Sequence, residues 1–95
     1  MKLTNTTNNR FNYVSQVTID VLNFLAAKGF VSHTEENHEG YFYCRVADVA
    51  NAIQKSSATA QRHIEKLRSL KVLDIRVVGG SKSIYKMNPF KVTEI

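Results

Sequence analysis

Apolar residues recur at a helical period over residues 13–28. Val14, Val17, Val21, Phe24 and Leu25 define one strip, and Ile19, Leu22 and Ala26 define a second beside it. Gln16, Asp20 and Asn23 fill only a narrow polar sector, so the apolar arc is wider than a surface helix needs. Asn12 is the expected N-cap and Gly29 the expected stop. The acidic loop SHTEENHEG follows, then YFYCR (Tyr41 to Arg45), whose aromatic, β-prone composition predicts a short strand. Val46, Val49, Ala50 and Ile53 carry the i, i+3, i+4, i+7 spacing of a second short helix. After the turn Gln54-Lys55-Ser56, a third helix capped by Ser56 or Ser57 turns Ala60, Ile64, Leu67 and Leu70 inwards. VLDIRVV, GGS and KSIYKM then read as a strand, a tip and a returning strand, with Gly79 and Gly80 allowing the positive φ of a tight hairpin. Residues 1–12 show no period and read as a flexible N-terminal arm; residues 90–95 read as a C-terminal tail.

These elements make an α+β domain over residues 13–89: three helices and a β-hairpin, in the order of a winged helix-turn-helix with the hairpin as wing. A chain of 95 residues is one small domain, for which burial against a second copy is a natural source of stability. The doubly apolar first helix is therefore expected to build a homodimer, with Val14, Ile19, Leu22 and Ala26 at the interface. The competing arrangement has the C-terminal tail cover the second strip within one subunit.

Charge sharpens the picture. Up to Gln54 the chain has four Lys and Arg against five Asp and Glu, a net −1; from Lys55 onward it has nine against three, a net +6. The whole excess of +5 thus begins at the turn between the second and third helices, where a winged helix would meet phosphates. A solvated basic surface gives the same count, but the position favours double-stranded DNA. In the third helix Arg62 can bond guanine bidentately and Gln61 can do so with adenine; they are the strongest candidates for reading bases. Lys55, Ser56, Ser57, Thr59 and Lys66 suit phosphates and short contacts. Arg76, Ser81, Lys82 and Lys86 would flank or edge the wing and hold the backbone. Arg68 and Lys71 are read as solvated, and His63, beside the apolar strip, as a hydrogen-bonded, partly buried imidazole.

Other chemistry finds little support. His33, Glu35, Glu36, His38 and Glu39, with Cys44 nearby, resemble metal ligands in type but match no standard spacing, and a solvated loop is the better reading. No Gly-rich loop followed by Lys and Ser or Thr is present, and Cys44 with three histidines does not make a nucleophile beside an oriented base. No enzyme and no cofactor are expected. The lone cysteine forms no internal disulfide, no signal pattern opens the chain and no apolar run approaches about 20 residues, so a cytoplasmic protein without a membrane partner is expected.

TAQRHIEKLRSLKVL followed by SIYKMNP resembles the winged-helix repressors of the ArsR and MarR type, over about half the chain. The resemblance places Thr59 to Ile64 in the body of a recognition helix and Asn88-Pro89 at the close of the wing. Three features depart from it. Gln54 stands where a turn Gly is usual, Lys55 where an apolar residue is usual, and Lys71 where a Gly follows the recognition helix. The Cys-x-Cys motif of the arsenical sensors is absent, as is a C-terminal dimerisation helix. A winged helix of this length is also similar to the centromere-binding adaptors of tubulin-type plasmid partition systems, which bind repeat arrays and recruit a filament-forming protein. The resemblance implies a dimeric, sequence-specific prokaryotic transcriptional regulator. Its alternatives are a partition adaptor of a plasmid or phage and, from another class, a winged-helix module that binds only protein; a nuclease or metalloenzyme is a distant third.

Overall fold

The computed structural model describes residues 1–32, 40–78 and 82–94. In chain order the elements are β1 (Lys2–Asn5), β2 (Phe11–Tyr13), α1 (Gln16–Ser32), β3 (Phe42–Tyr43), α2 (Val46–Ile53), α3 (Ser57–Ser69), β4 (Leu73–Val78), β5 (Lys82–Met87) and β6 (Phe90–Thr93). The strands form two antiparallel three-stranded sheets, ordered β2-β1-β6 and β3-β5-β4. The fold is thus α+β, with three helices and small antiparallel sheets, and is compatible with a winged-helix-like arrangement.

Helix α1 is the hub of the core. Ser15, not Asn12, caps it, accepting the Thr18 N–H at 3.4 Å. Gly29 does not stop it, because the helix runs on to Ser32. That glycine serves close approach instead: a Cβ there would lie 3.1 Å from Cε1 of Phe42, whose ring is fully buried. Helices α2 and α3 and strands β3 and β5 all contact α1, so much of its wide apolar arc is buried inside one chain. Here the expected interface on α1 needs correcting. Val14 (7% exposed), Ile19 (4%) and Leu22 (0%) are buried in the monomer and Ala26 is half-buried, so these residues do not form a face open to a partner. A helix touched on several sides needs apolar residues on several strips without any second subunit.

The ends of the chain also differ from expectation. Residues 1–12 are not a free arm, and of the expected tail Phe90–Thr93 forms a strand: β1 is the central strand of a sheet, paired with β2 on one side and β6 on the other. Leu3 and Asn5 point inward and are buried. Asn5 fastens this sheet to the end of α3, its Nδ2 donating to the carbonyls of Leu70 and Lys71, both at 3.0 Å. Its Oδ1 accepts the Thr7 N–H at 2.9 Å, shaping the β1–β2 loop. At the same place Nδ2 of Asn88 donates to the Lys71 carbonyl (2.8 Å) and to Asp74 Oδ2 (3.0 Å).

Candidate nucleic-acid interface

The turn between α2 and α3 is built from helix-end chemistry. Lys55 N–H donates to the Ala50 carbonyl (3.0 Å) and Gln54 N–H to that of Asn51 (3.3 Å), a Schellman closure with Gln54 in the left-handed region at φ 56°. The missing turn glycine is thus met by a strained glutamine and not by a different turn shape. Lys71 repeats the solution at the end of α3: φ is 59°, Val72 N–H donates to Leu67 (3.2 Å) and Lys71 N–H to Arg68 (2.9 Å). In both turns the closure satisfies carbonyls that the helix end leaves open.

Ser56 is the N-cap of α3. Its Oγ accepts the Thr59 N–H at 3.2 Å and lies 3.0 Å from Thr59 Oγ1, so both hydroxyls are engaged in the cap. Ala60, Ile64 and Leu67 bury one side of the helix. Ala58, Arg62, Lys66 and Ser69, at spacings of four, four and three, line the opposite side and are exposed. Arg62 has no hydrogen bond or ion pair among the described residues and stands at the centre of that side. Gln61 is held differently: its Nε2 donates to Glu65 Oε1 at 3.1 Å, while Arg68 pairs with Glu65 Oε2 at 3.5 Å. The two strongest sequence candidates therefore separate, Arg62 available and Gln61 engaged by a carboxylate one turn on. The i, i+4 placement of Gln61 and Glu65 was a readable signal for this contact.

His63 is the inward-flank residue expected from the pattern. Its Nδ1 lies 2.8 Å from Oγ1 of Thr18, which is fully buried on α1, so the bond ties α3 to the hub helix. Partial burial, then the Lys66 and Arg62 charges, lower the His63 pKa below its ordinary value of 6.5. The imidazole is therefore neutral at pH 7.

The basic side chains of the second sheet form another group. Register puts Asp74 opposite Lys86 and Arg76 opposite Ile84 on the outward face, while Leu73, Ile75, Tyr85 and Met87 face the helices. The Arg76 guanidinium lies 4.6 Å from the Tyr41 ring centre and Lys86 Nζ 5.8 Å from it, so Tyr41 spaces the two cations. Tyr41, expected from the sequence only as a strand residue, is a member of this cluster. Ser81 and the hairpin tip lie outside the described residues; of Lys82 the backbone alone is described, paired with Val78. Lys55 and Ser57 are exposed beside the start of α3.

The loop residues His33, Glu35, Glu36, His38 and Glu39 also lie outside the described residues. Among the described residues no group of three His, Cys, Asp or Glu could hold a metal ion. Cys44 is buried; desolvation and then Asp48 push its thiol above the usual value, so it is protonated at neutral pH. Among the described residues no helix is long and apolar enough to cross a membrane. No protein-family model, no curated protein and no solved structure matches this chain.

Proposed function

We propose that this chain binds double-stranded DNA as a winged helix-turn-helix and acts as a prokaryotic transcriptional regulator. The observation that carries the reading is the exposed side of α3, where Arg62 and Lys66 stand without internal partners on a helix whose opposite side is locked into the core. An arginine so placed can enter the major groove and bond guanine O6 and N7 together. Lys55, Ser57 and the start of α3 present a cation, a hydroxyl and backbone N–H groups to flanking phosphates. Ser56 and Thr59 contribute the helix cap that aims these groups. Arg76 and Lys86, spaced by Tyr41, carry the wing's share of backbone contact. The left-handed residues at either end of α3, Gln54 and Lys71, fix the angle at which the helix is offered.

The test is affinity selection of fragments from the source genome, washed at about 0.15 M salt and sequenced. A palindrome-like site near a promoter, read by two copies, is the expected result. A regular array of repeats would move the protein to partition, and no enrichment would refute DNA binding. On the selected site, Arg62→Ala should weaken binding by about 1–3 kcal/mol and relax specificity. Equal loss on scrambled DNA would contradict the role given to Arg62. Lys86→Gln should weaken all sequences alike and lower the salt slope by about 1.

A further inference from the structure

The sheet β2-β1-β6 has an outer face that nothing among the described residues covers. Register assigns it Lys2 and Thr4 from β1, Phe11 and Tyr13 from β2, and Lys91 and Thr93 from β6. Phe11 is 51% exposed and Tyr13 61%. Their rings meet edge to face, centres 6.0 Å apart, and the Lys2 ammonium lies 4.3 Å from the centre of the Phe11 ring. Two large aromatics standing in solvent on an edge strand cost solvation and invite aggregation, and the protein keeps both.

The geometry points to a second nucleic-acid surface: this face stacks the unpaired bases of a single strand on Phe11 and Tyr13 and holds its phosphates with Lys2 and Lys91. Charge complementarity decides the occupant. Among the described residues the face carries two lysines and no carboxylate, so an anion fits it, and aromatic rings interleaved with cations match bases interleaved with phosphates. A second copy placed face to face would set lysine against lysine with only two rings from each copy between them, whereas a stable dimer buries roughly 800 Å² per partner. The backs of β1 and β6 are occupied, with Leu3 and Asn5 inside the fold and Phe90 and Val92 packed toward it, so the platform is held rigid. It is fastened to the C-terminal end of α3 through Asn5, at the other end of the helix from the Ser56 cap. This surface does not depend on the duplex-binding reading above.

The experiment measures anisotropy of a labelled oligothymidine of about 12 nucleotides with the full chain at several salt concentrations. The wild type should bind it. Phe11→Leu and Tyr13→Leu, which keep apolar bulk and lose the ring, should each weaken binding about tenfold, while Tyr13→Phe retains it. Changing Lys2 and Lys91 together to Gln should reduce the salt slope by about 1.4, the single-strand value for two phosphates. Arg62→Ala should leave this affinity unchanged while relaxing the preference on duplex DNA, so failure of either surface is seen separately. Photocrosslinking of a bromouracil strand to the wild type should map to Phe11 or Tyr13, which tests the assignment even if a leucine variant folds poorly. Absence of single-strand binding, equal affinity of folded leucine variants, or crosslinks confined to α3 would overturn the proposal. So would ring-dependent binding to anionic vesicles without oligothymidine binding, or a dimer by light scattering that Phe11→Leu dissolves.

Discussion

Replacing Asn5 by alanine tests whether the terminal sheet is part of the cooperative fold. Asn5 is 3% exposed and its side chain makes three hydrogen bonds: two from Nδ2 to the carbonyls of Leu70 and Lys71, and one accepted by Oδ1 from Thr7. Each net bond of this kind contributes about 1 kcal/mol, and a buried acceptor left unpaired costs somewhat more. The Lys71 carbonyl keeps its bond from Asn88, so its loss is partial; that of Leu70 loses the side-chain donor outright. The part-buried Thr7 N–H can turn to water. The sum is about 2–3 kcal/mol, against a total of roughly 5–14 kcal/mol for a chain of this length. For a domain of this size that lowers Tm by about 10–20 °C. Urea unfolding followed by helical circular dichroism gives the free energy and the slope together. Asn5→Asp should be at least as damaging at neutral pH, because a carboxylate cannot donate and would face the negative end of α3. An alanine variant within about 0.5 kcal/mol of wild type, with unchanged slope, would show that the sheet is not locked to α3 through Asn5.

Further outcomes follow from the same geometry. Gln54→Gly and Lys71→Gly place the residue suited to φ near 60° and should each raise stability by about 0.5–1 kcal/mol, read by the urea midpoint. Gly29→Val should lower stability by about 1–3 kcal/mol, since its Cβ would already lie 3.1 Å from the buried Phe42 ring and two methyls are added beyond it. His63 has a folded pKa below its unfolded one, so well above pH 6.5 both states are neutral and the group has no effect. As pH falls through 6.5 the unfolded state takes the proton first, and stability drops until the lower folded pKa is passed. Unfolding midpoints between pH 7 and 5 should show this fall, and His63→Gln should flatten it.

The amphipathic pattern alone made α2, α3 and the hairpin legible, because short-range periodicity and turn chemistry reach only as far as neighbouring residues. It also marked the charge boundary at Lys55 and the exposed face of α3. The first helix was legible as a helix but not in its role. Its two apolar strips say that both are buried, and only the packing of α2, α3, β3 and β5 around it shows that one chain does the burying. The terminal sheet is not legible in the sequence for a related reason. β1 has four residues and β2 three, too few to display a period, and one inward position of β1 is Asn5, which reads as polar surface. Phe90 and Val92 in β6 do alternate with Lys91 and Thr93, but their partner strand lies some ninety residues away at the other end of the chain. Residue type and spacing therefore determined which segments could be helices and strands and where positive charge would gather. Tertiary structure alone decided that the two ends meet, that one chain buries both strips of α1, and that Asn5 is a buried joint, since each depends on contacts between segments far apart in the chain.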